Sequence, residues 1–587
     1  MLTVTRVPTR PYLDQKPGTS GLRKKVKVFK QENYLANFVQ STFNALKKNG
    51  GIPDTLVLGG DGRYFLSEAI EIIIKMAAAN GVSNLWIGKD GLLSTPAVSN
   101  IIRYRREGSI KPKGAFILTA SHNPGGPEED FGIKYNTENG GPAPEKITSA
   151  IYEETLNIDH VLTCPNIKEV DLTKIKKHNI ETFNVSIIDT TEDYVEGMKT
   201  IFDFDDIKRL LQRPDFQIKI DGLHGISGPY VKDIFCSSLG VPESCLSGVE
   251  VLPDFGGHHP DPNLTYAKEL VEAMGLNSDG TPNTKTVGKV PDFAAAFDGD
   301  ADRNMILGER LFVTPSDSVA ILAANADVVP FFVQRGGVRS VARSMPTSGA
   351  LDRVAKARNL KFFEVPTGWK YFGNLMDSRD VFGGEDYNPL ICGEESFGTG
   401  SNHIREKDGV WAALFWLSII ANKNTDPSKP LVGVKEIVEE HWMRYGRNYY
   451  SRYDYENVLE ESANAMMKAM EKLQPNDIPP LRGKKCLRID NFEYQDPVDG
   501  SVSRNQGIRV VFEDGSRFVL RLSGTGSSGA TIRLYLEQYM EPSDVAQHLK
   551  GGTLPSVSTA LDALIDIALN TSQISKFTGR EAPTVIT

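Results

Sequence analysis

Runs of apolar residues alternate with amphipathic stretches along most of the chain. TLVLGGD (55–61) reads as a buried strand and turn. LSEAIEIIIKMAAANG (66–81) reads as a helix closed by Gly81, NLWIGKDG (84–91) as a strand, and GAFILTASHNPGG (114–126) as a strand running into a loop. The rhythm restarts at FQIKIDGLHG (216–225), at DFAAAFDGDADRN (292–304) and at LKFFEVPTGWKYFG (360–373). Such alternation predicts α/β layers. KDGVWAALFWLSIIANK (407–423) reads as a helix, and the Pro-rich NTDPSKPLVG after it as a boundary. Beyond it the pattern changes. KKCLRIDNFEY, IRVVFEDGSRFVLRLSG and ATIRLYLEQY predict antiparallel strands, with EDGS as a hairpin turn, and helices follow around 543–571. The expected fold is therefore three similar α/β domains followed by an α+β domain. The boundaries expected are 1–205, 206–320, 321–435 and 436–587.

Size and charge narrow this picture. A chain of 587 residues exceeds the roughly 250–300 residues that one core supports. A net charge of −9 lacks the basic field of a nucleic-acid binder, but local Arg and Lys can still hold an anionic substrate. The five cysteines are scattered without CxxC spacing, which predicts neither disulfides nor zinc and suits a reducing compartment. No apolar leader opens the chain and no run long enough to span a membrane occurs. A cytoplasmic protein is expected. No coiled-coil heptads appear, and a monomer or weak dimer is expected.

Five loops carry candidate chemistry. TASHNPGG (119–126) puts Ser121 and His122 just after a buried strand, the end of a sheet at which α/β proteins hold ligands. Taken alone it also reads as a polar turn, and the lack of a GxSxG elbow argues against an acyl-transfer serine. DGDADR (298–303) spaces Asp298, Asp300 and Asp302 at every second residue, so three carboxylates can meet one hard cation. An EF-hand would need Gly where Arg303 stands, although Glu309 is acidic at its twelfth position. CGEESFG (392–398) offers carboxylates and a serine for sugar hydroxyls, or an exposed acidic turn, and is followed by HIREKDG with Arg405 and Lys407. RLSGTGSSGATIR (521–533) contains a formal GxGxxG, but a strand follows where a dinucleotide site needs a helix. What remains is a hydroxyl- and amide-rich nest between two arginines, suited to phosphate, or a flexible hairpin. PGTSGLRKK (17–25) adds Thr19, Ser20 and Arg23, or is a loose leader.

Together and in this order, the five loops resemble the α-D-phosphohexomutase superfamily, most closely its phosphoglucomutase branch, over nearly the whole chain. The GEESFG loop and the Gly-Gly of TASHNPGG look like the glucose-type members, and the GE-x-S-G-H pattern of phosphomannomutase-like members is absent. The resemblance implies four domains around a central cleft. It implies Ser121 as the phosphorylated residue, its phosphoryl group holding Mg²⁺ together with Asp298, Asp300 and Asp302. Glu394 and Ser396 would contact sugar hydroxyls, with Thr367 and Gly368 as a further wall. Arg521, Ser523, Gly524, Thr525 and Arg533 would hold the phosphate that is not transferred, and Thr19 and Ser20 would border the substrate. Arg23, Lys134, Arg303 and Lys407 would surround the reacting groups, with Lys134, Lys407 and His122 handling protons, a lysine acting as base where burial or nearby cations lower its pKa. The implied reaction interconverts glucose 1-phosphate and glucose 6-phosphate through glucose 1,6-bisphosphate, with sugar phosphates as the only partners. Three other readings remain: a mutase for another sugar, a regulatory protein of the parafusin type with weak or secondary activity, and a calcium-binding module on DGDADR.

Overall fold

The computed structural model describes residues 2–18, 20–523 and 529–587. Four main sheets of seven, five, four and six strands follow one another along the chain. In the first, the strands run in the order Leu22–Lys25, Asp130–Asn136, Ala115–Leu118, Thr55–Gly60, Asn84–Leu92, Phe183–Ile188 and Lys177–Ile180. The four strands from Ala115–Leu118 to Phe183–Ile188 are parallel, and the flanking ones are antiparallel. Thr55–Gly60 is buried at every position, as its unbroken apolar run requires of a strand covered on both faces. Helix Leu66–Ala79 covers it, burying Leu66, Ala69, Ile70, Ile73, Ile74 and Ala77 at helical spacing. Gly81, at φ 89°, ends that helix in the left-handed region.

The second sheet runs Leu246–Ser247, Ile218–Asp221, Phe293–Phe297, Asn304–Gly308, Leu311–Val313, and the third Lys361–Val365, Ser340–Ser344, Leu390–Gly393, Thr399–Ser401. One device recurs in all three. A parallel strand ends, a loop crosses, and the next strand returns antiparallel beside it: Ala115–Leu118 to Asp130–Asn136, Phe293–Phe297 to Asn304–Gly308, and Leu390–Gly393 to Thr399–Ser401. The connecting loops are 119–129, 298–303 and 394–398, three of those singled out above. The fourth sheet is antiparallel throughout, in the order Cys486–Asn491, Ile508–Phe512, Arg517–Ser523, Ala530–Met540, Arg447–Val458, Val585–Ile586. EDGS turns between its second and third strands, and helix Val557–Ser572 packs on one face. The architecture is three α/β units and a C-terminal α+β unit.

Helix Gly409–Lys423 is buried on all sides, Trp411 and Trp416 included. It lies among helix Phe204–Leu211 and strands Asn304–Gly308 and Thr399–Ser401, so the second and third units share one apolar core. Polar groups join the third unit to the fourth. Glu364 accepts from Arg343 of its own sheet at 3.0 Å and from Arg509 of the fourth at 2.5 Å. These joints set the loops of different sheets against one another.

Candidate active site

Ser121 follows strand Ala115–Leu118 with φ 54°, a left-handed conformation that a non-glycine residue adopts only where its surroundings impose it. The constraint is visible. Thr119 Oγ1 accepts from Ser121 N at 2.8 Å and donates to Asp61. Arg63, paired with Asp61 and fully buried, donates to the Ser121 carbonyl at 2.9 Å and to that of Asp130 at 2.9 Å. The Ser121 hydroxyl, so aimed, donates to Asp298 Oδ2 of the second unit at 2.8 Å.

Asp298, Asp300 and Asp302 are buried, and ligand oxygens of all three lie within 4.8 Å of one another. Asp300 Oδ1 and Asp302 Oδ1 have no hydrogen-bond partner among the described residues. Burial and then the charges of Asp300 and Asp302 push the Asp298 carboxyl well above its usual range. At Asp300 burial acts in the same direction, but Lys134, the Thr95 hydroxyl and Arg23 outweigh it and hold the group low. Three buried carboxylates so close together repel one another as anions. Their oxygen-only donor set fits a hard divalent metal.

Cations converge here from every unit. His122 Nδ1 lies 3.4 Å from the Ser121 hydroxyl. Burial and then Arg303, Arg23, Lys407 and Arg533, from the second, first, third and fourth units, drive the His122 imidazole well below its usual range and keep it neutral. Lys407 stands 3.7 Å from Asp302 and 3.6 Å from Glu394. Arg303 lies 3.8 Å from both Asp298 and Asp302. Arg23 sits on edge strand Leu22–Lys25, paired with Asp130–Asn136, so the segment is not a loose leader. Ser20 occupies the turn just before it. Lys134 lies 3.5 Å from Glu406 and 3.9 Å from Asp300. Its pKa moves opposite to the lowering that a base requires. Burial lowers it, but Glu406 and Asp300 outweigh burial and the net shift is upward.

Glu394, buried, accepts from the backbone N–H of Gly368 at 3.0 Å, which joins the loop 394–398 to the 367–368 segment. Ser396 is half-buried in the same turn, and Thr367 Oγ1 is buried without a partner among the described residues. In the fourth sheet Arg521 and Arg533 are directly opposite across adjacent strands, as are Ser523 and Thr531. Like charges so placed repel, and Asp454, 3.7 Å from Arg533, offsets this in part. Thr19, Gly524 and Thr525 lie outside the described residues.

The comparisons with known proteins agree along the entire chain. Phosphoglucomutase/phosphomannomutase α/β/α domains I, II and III match residues 14–161, 192–311 and 315–445, and the phosphoglucomutase-1 C-terminal domain matches 447–584. The chain belongs to the phosphoglucomutase/phosphomannomutase family. Among curated relatives, the cytoplasmic phosphoglucomutases of Mesembryanthemum crystallinum and Pisum sativum are 57% and 56% identical over all of this chain and 99% and 100% of theirs. Among solved structures, the exocytosis-sensitive phosphoprotein pp63/parafusin (phosphoglucomutase) of Paramecium, in an open form, superposes with TM-score 0.87 at 49% identity, covering 100% of this chain and 99% of that one.

Sequence reasoning overlooked several residues of this family member's site. Asp61 and Arg63 stand in DGRYF directly after strand Thr55–Gly60, a charged pair at the end of a buried strand, which is the signal that marked the other loops. Glu406 is buried, accepts from Asn136 Nδ2 at 2.8 Å and lies against Lys134. Arg405, by contrast, turns away from the cleft: its Nε donates to Asp377 at 2.7 Å and its other nitrogens to carbonyls of the third unit. Alternation along an irregular loop does not reveal which of three successive charged residues faces inward.

Proposed function

We propose that this chain is a phosphoglucomutase that interconverts glucose 1-phosphate and glucose 6-phosphate through phospho-Ser121 and a glucose 1,6-bisphosphate intermediate, in the cytoplasm as its relatives' names indicate. The observation that carries this reading is the Ser121 hydroxyl, held in a left-handed turn and hydrogen-bonded to Asp298 at 2.8 Å inside a three-aspartate cluster. Ser121 presents its oxygen to the cleft, and Arg63 fixes the backbone from behind. Asp298, Asp300 and Asp302 would hold Mg²⁺, which when bound supplies charge neutralisation to the transferring phosphoryl group.

In the first half-reaction the P–Oγ bond of phospho-Ser121 breaks as a bond forms from phosphorus to the sugar's 6-oxygen, whose hydroxyl proton passes to a protein group. The second half reverses this at the 1-phosphate. Lys134, held between Glu406 and Asp300, and Lys407, held between Asp302 and Glu394, suit return of a proton to the departing oxygen, while the neutral His122 beside the Ser121 hydroxyl offers the ring nitrogen that can receive one. Glu394 and Ser396, with Thr367 and Gly368 beside them, orient the sugar hydroxyls. Arg521, Ser523 and Arg533 grip the phosphate that stays, and with Gly524 and Thr525 recognise a phosphate irrespective of the carbon bearing it. Thr19 and Ser20 would border the substrate, Arg23 and Arg303 would surround the reacting groups, and loops from all four units would enclose the sugar and exclude water, which would otherwise hydrolyse the phosphoserine. A purely regulatory role is not favoured, because the whole-length relatives are named phosphoglucomutases.

The test is conversion of glucose 1-phosphate with Mg²⁺ and a trace of glucose 1,6-bisphosphate. Wild type should turn over, chelation should abolish the activity, and Ser121→Ala should fold normally with no turnover. An active Ser121→Ala protein would remove the serine as carrier. A folded but inactive wild type, with mannose 1-phosphate converted in its place, would transfer the assignment to another sugar.

A further inference from the structure

Glu395 adjoins Glu394 in sequence, yet its side chain has a different set of partners. Its Oε2 accepts from Ser344 Oγ at 2.8 Å and from Thr347 Oγ1 at 3.4 Å, both in the third unit. Its Oε1 accepts from the Tyr535 hydroxyl of the fourth unit at 3.4 Å. The same hydroxyl accepts from Arg521 Nη1 at 3.2 Å, and Arg521 Nε donates to the Gln506 carbonyl at 3.2 Å. Arg521 pairs with Arg533 across the strands, so Tyr535, two residues beyond Arg533, lies diagonally from Arg521 on the same face. Glu395 and Tyr535 are both buried. Burial and then Glu395 raise the Tyr535 phenol, which keeps its proton available to donate.

We infer that Glu395 and Tyr535 are positioning residues that bridge the third and fourth units and hold Arg521 at a set distance from the sugar loop. The inference rests on the mutase reading for its purpose. A substrate that binds in two orientations needs one fixed span between the sugar hydroxyls and the retained phosphate, and this bridge ties the two subsites together. One end is anchored on the loop that bears Glu394 and the other on the arginine that faces the phosphate. A carboxylate reached through a neutral hydroxyl orients the guanidinium without neutralising it, which leaves its charge for the ligand.

The experiment is a double-mutant cycle of Tyr535→Phe with Arg521→Ala, with Glu395→Gln as a second probe of the bridge and thermal melting as the fold control. Tyr535→Phe keeps the ring and should raise KM for glucose 1-phosphate about tenfold, the scale of one hydrogen bond to a charged group, with kcat within about threefold. In the Arg521→Ala background the same change should alter KM by less than about twofold. Calorimetric binding of glucose 6-phosphate and of inorganic phosphate to Ser121→Ala protein should follow the same cycle. Independent, multiplying effects in the two backgrounds, or a fall in kcat with KM unchanged, would overturn the bridge. Should wild type fail to turn over glucose phosphates, the mutase reading falls, and the inorganic-phosphate arm still decides whether Tyr535 acts through Arg521.

Discussion

Gly299 lies where two loops from different sheets pass in contact. A Cβ built there would stand 2.6 Å from the Ser121 carbonyl oxygen, closer than carbon and oxygen approach without displacement. That carbonyl is itself held by Arg63, so the serine loop has little freedom to retreat. Gly299→Ala should therefore cost about 1–3 kcal/mol of stability, as overpacking does, and displace Ser121 from Asp298. Calorimetry and turnover check both effects, and a variant with wild-type kcat would show that the loop yields. The glycine of DGD thus acts through the absence of a side chain, while the aspartates on either side act through theirs. Only the aspartates are conspicuous in a sequence.

Helix Gly409–Lys423 has no polar face, so its place is decided by what can cover it on every side. Asp408 caps its first turn by accepting from Trp411 N at 3.1 Å, and also accepts from Tyr194 and from His403 Nε2 at 3.0 Å. Ser401 Oγ lies 2.8 Å from His403 Nδ1, and the Tyr104 hydroxyl donates to the His403 carbonyl at 2.6 Å. The segment Ser401–Asp408, which carries Glu406 and Lys407, is in this way clamped at both ends. Asp408→Ala removes a cap and leaves buried donors unpaired, at a cost of about 3 kcal/mol. Urea denaturation should register that loss, and kcat should fall with it because Lys407 is the adjacent residue. Unchanged kcat in the folded variant would separate the clamp from Lys407. The apolar pattern of residues 407–423 makes the helix evident, but partners such as helix Phe204–Leu211 and strand Asn304–Gly308 are distant in sequence and are not written in the pattern.

The fourth unit is held to the third by Glu364, which lies among Arg343, Arg509 and Arg517. Burial alone would raise its pKa, but Arg343, then Arg517 and Arg509, outweigh burial and lower it from 4.5 to about 2. A carboxyl depressed in the folded state adds stability that is complete above its unfolded value and is lost as pH falls through the folded one. The window here runs from about 4.5 down to about 2, and the amount at stake is about 3 kcal/mol. Wild type should thus lead Glu364→Gln in thermal midpoint at pH 6, and the lead should shrink as pH falls through this window. A constant difference between the two proteins would remove Glu364 as the joint. At this scale the position of the strands that carry Arg521 and Arg533 relative to Ser121 depends on a cluster of side chains that no loop motif contains.

Local order set the element types in this protein. Short apolar runs between turns give buried strands, the long one at 407–423 gives a buried helix, helical spacing gives amphipathic helices, and hydroxyl-, glycine- and carboxylate-rich loops after strands mark where chemistry gathers. Those signals sit within a few residues of one another, and the chain's own sterics and burial suffice to produce them. Tertiary structure decided the rest: the left-handed turn of Ser121 imposed by Asp61, Arg63 and Thr119, the meeting of Ser121 with Asp298, the upward shift of Lys134 by Glu406, and the pairing of buried Arg405 with Asp377. Each of these depends on electrostatics and contacts between groups far apart along the chain, and such energies exist only after the sheets have been brought together.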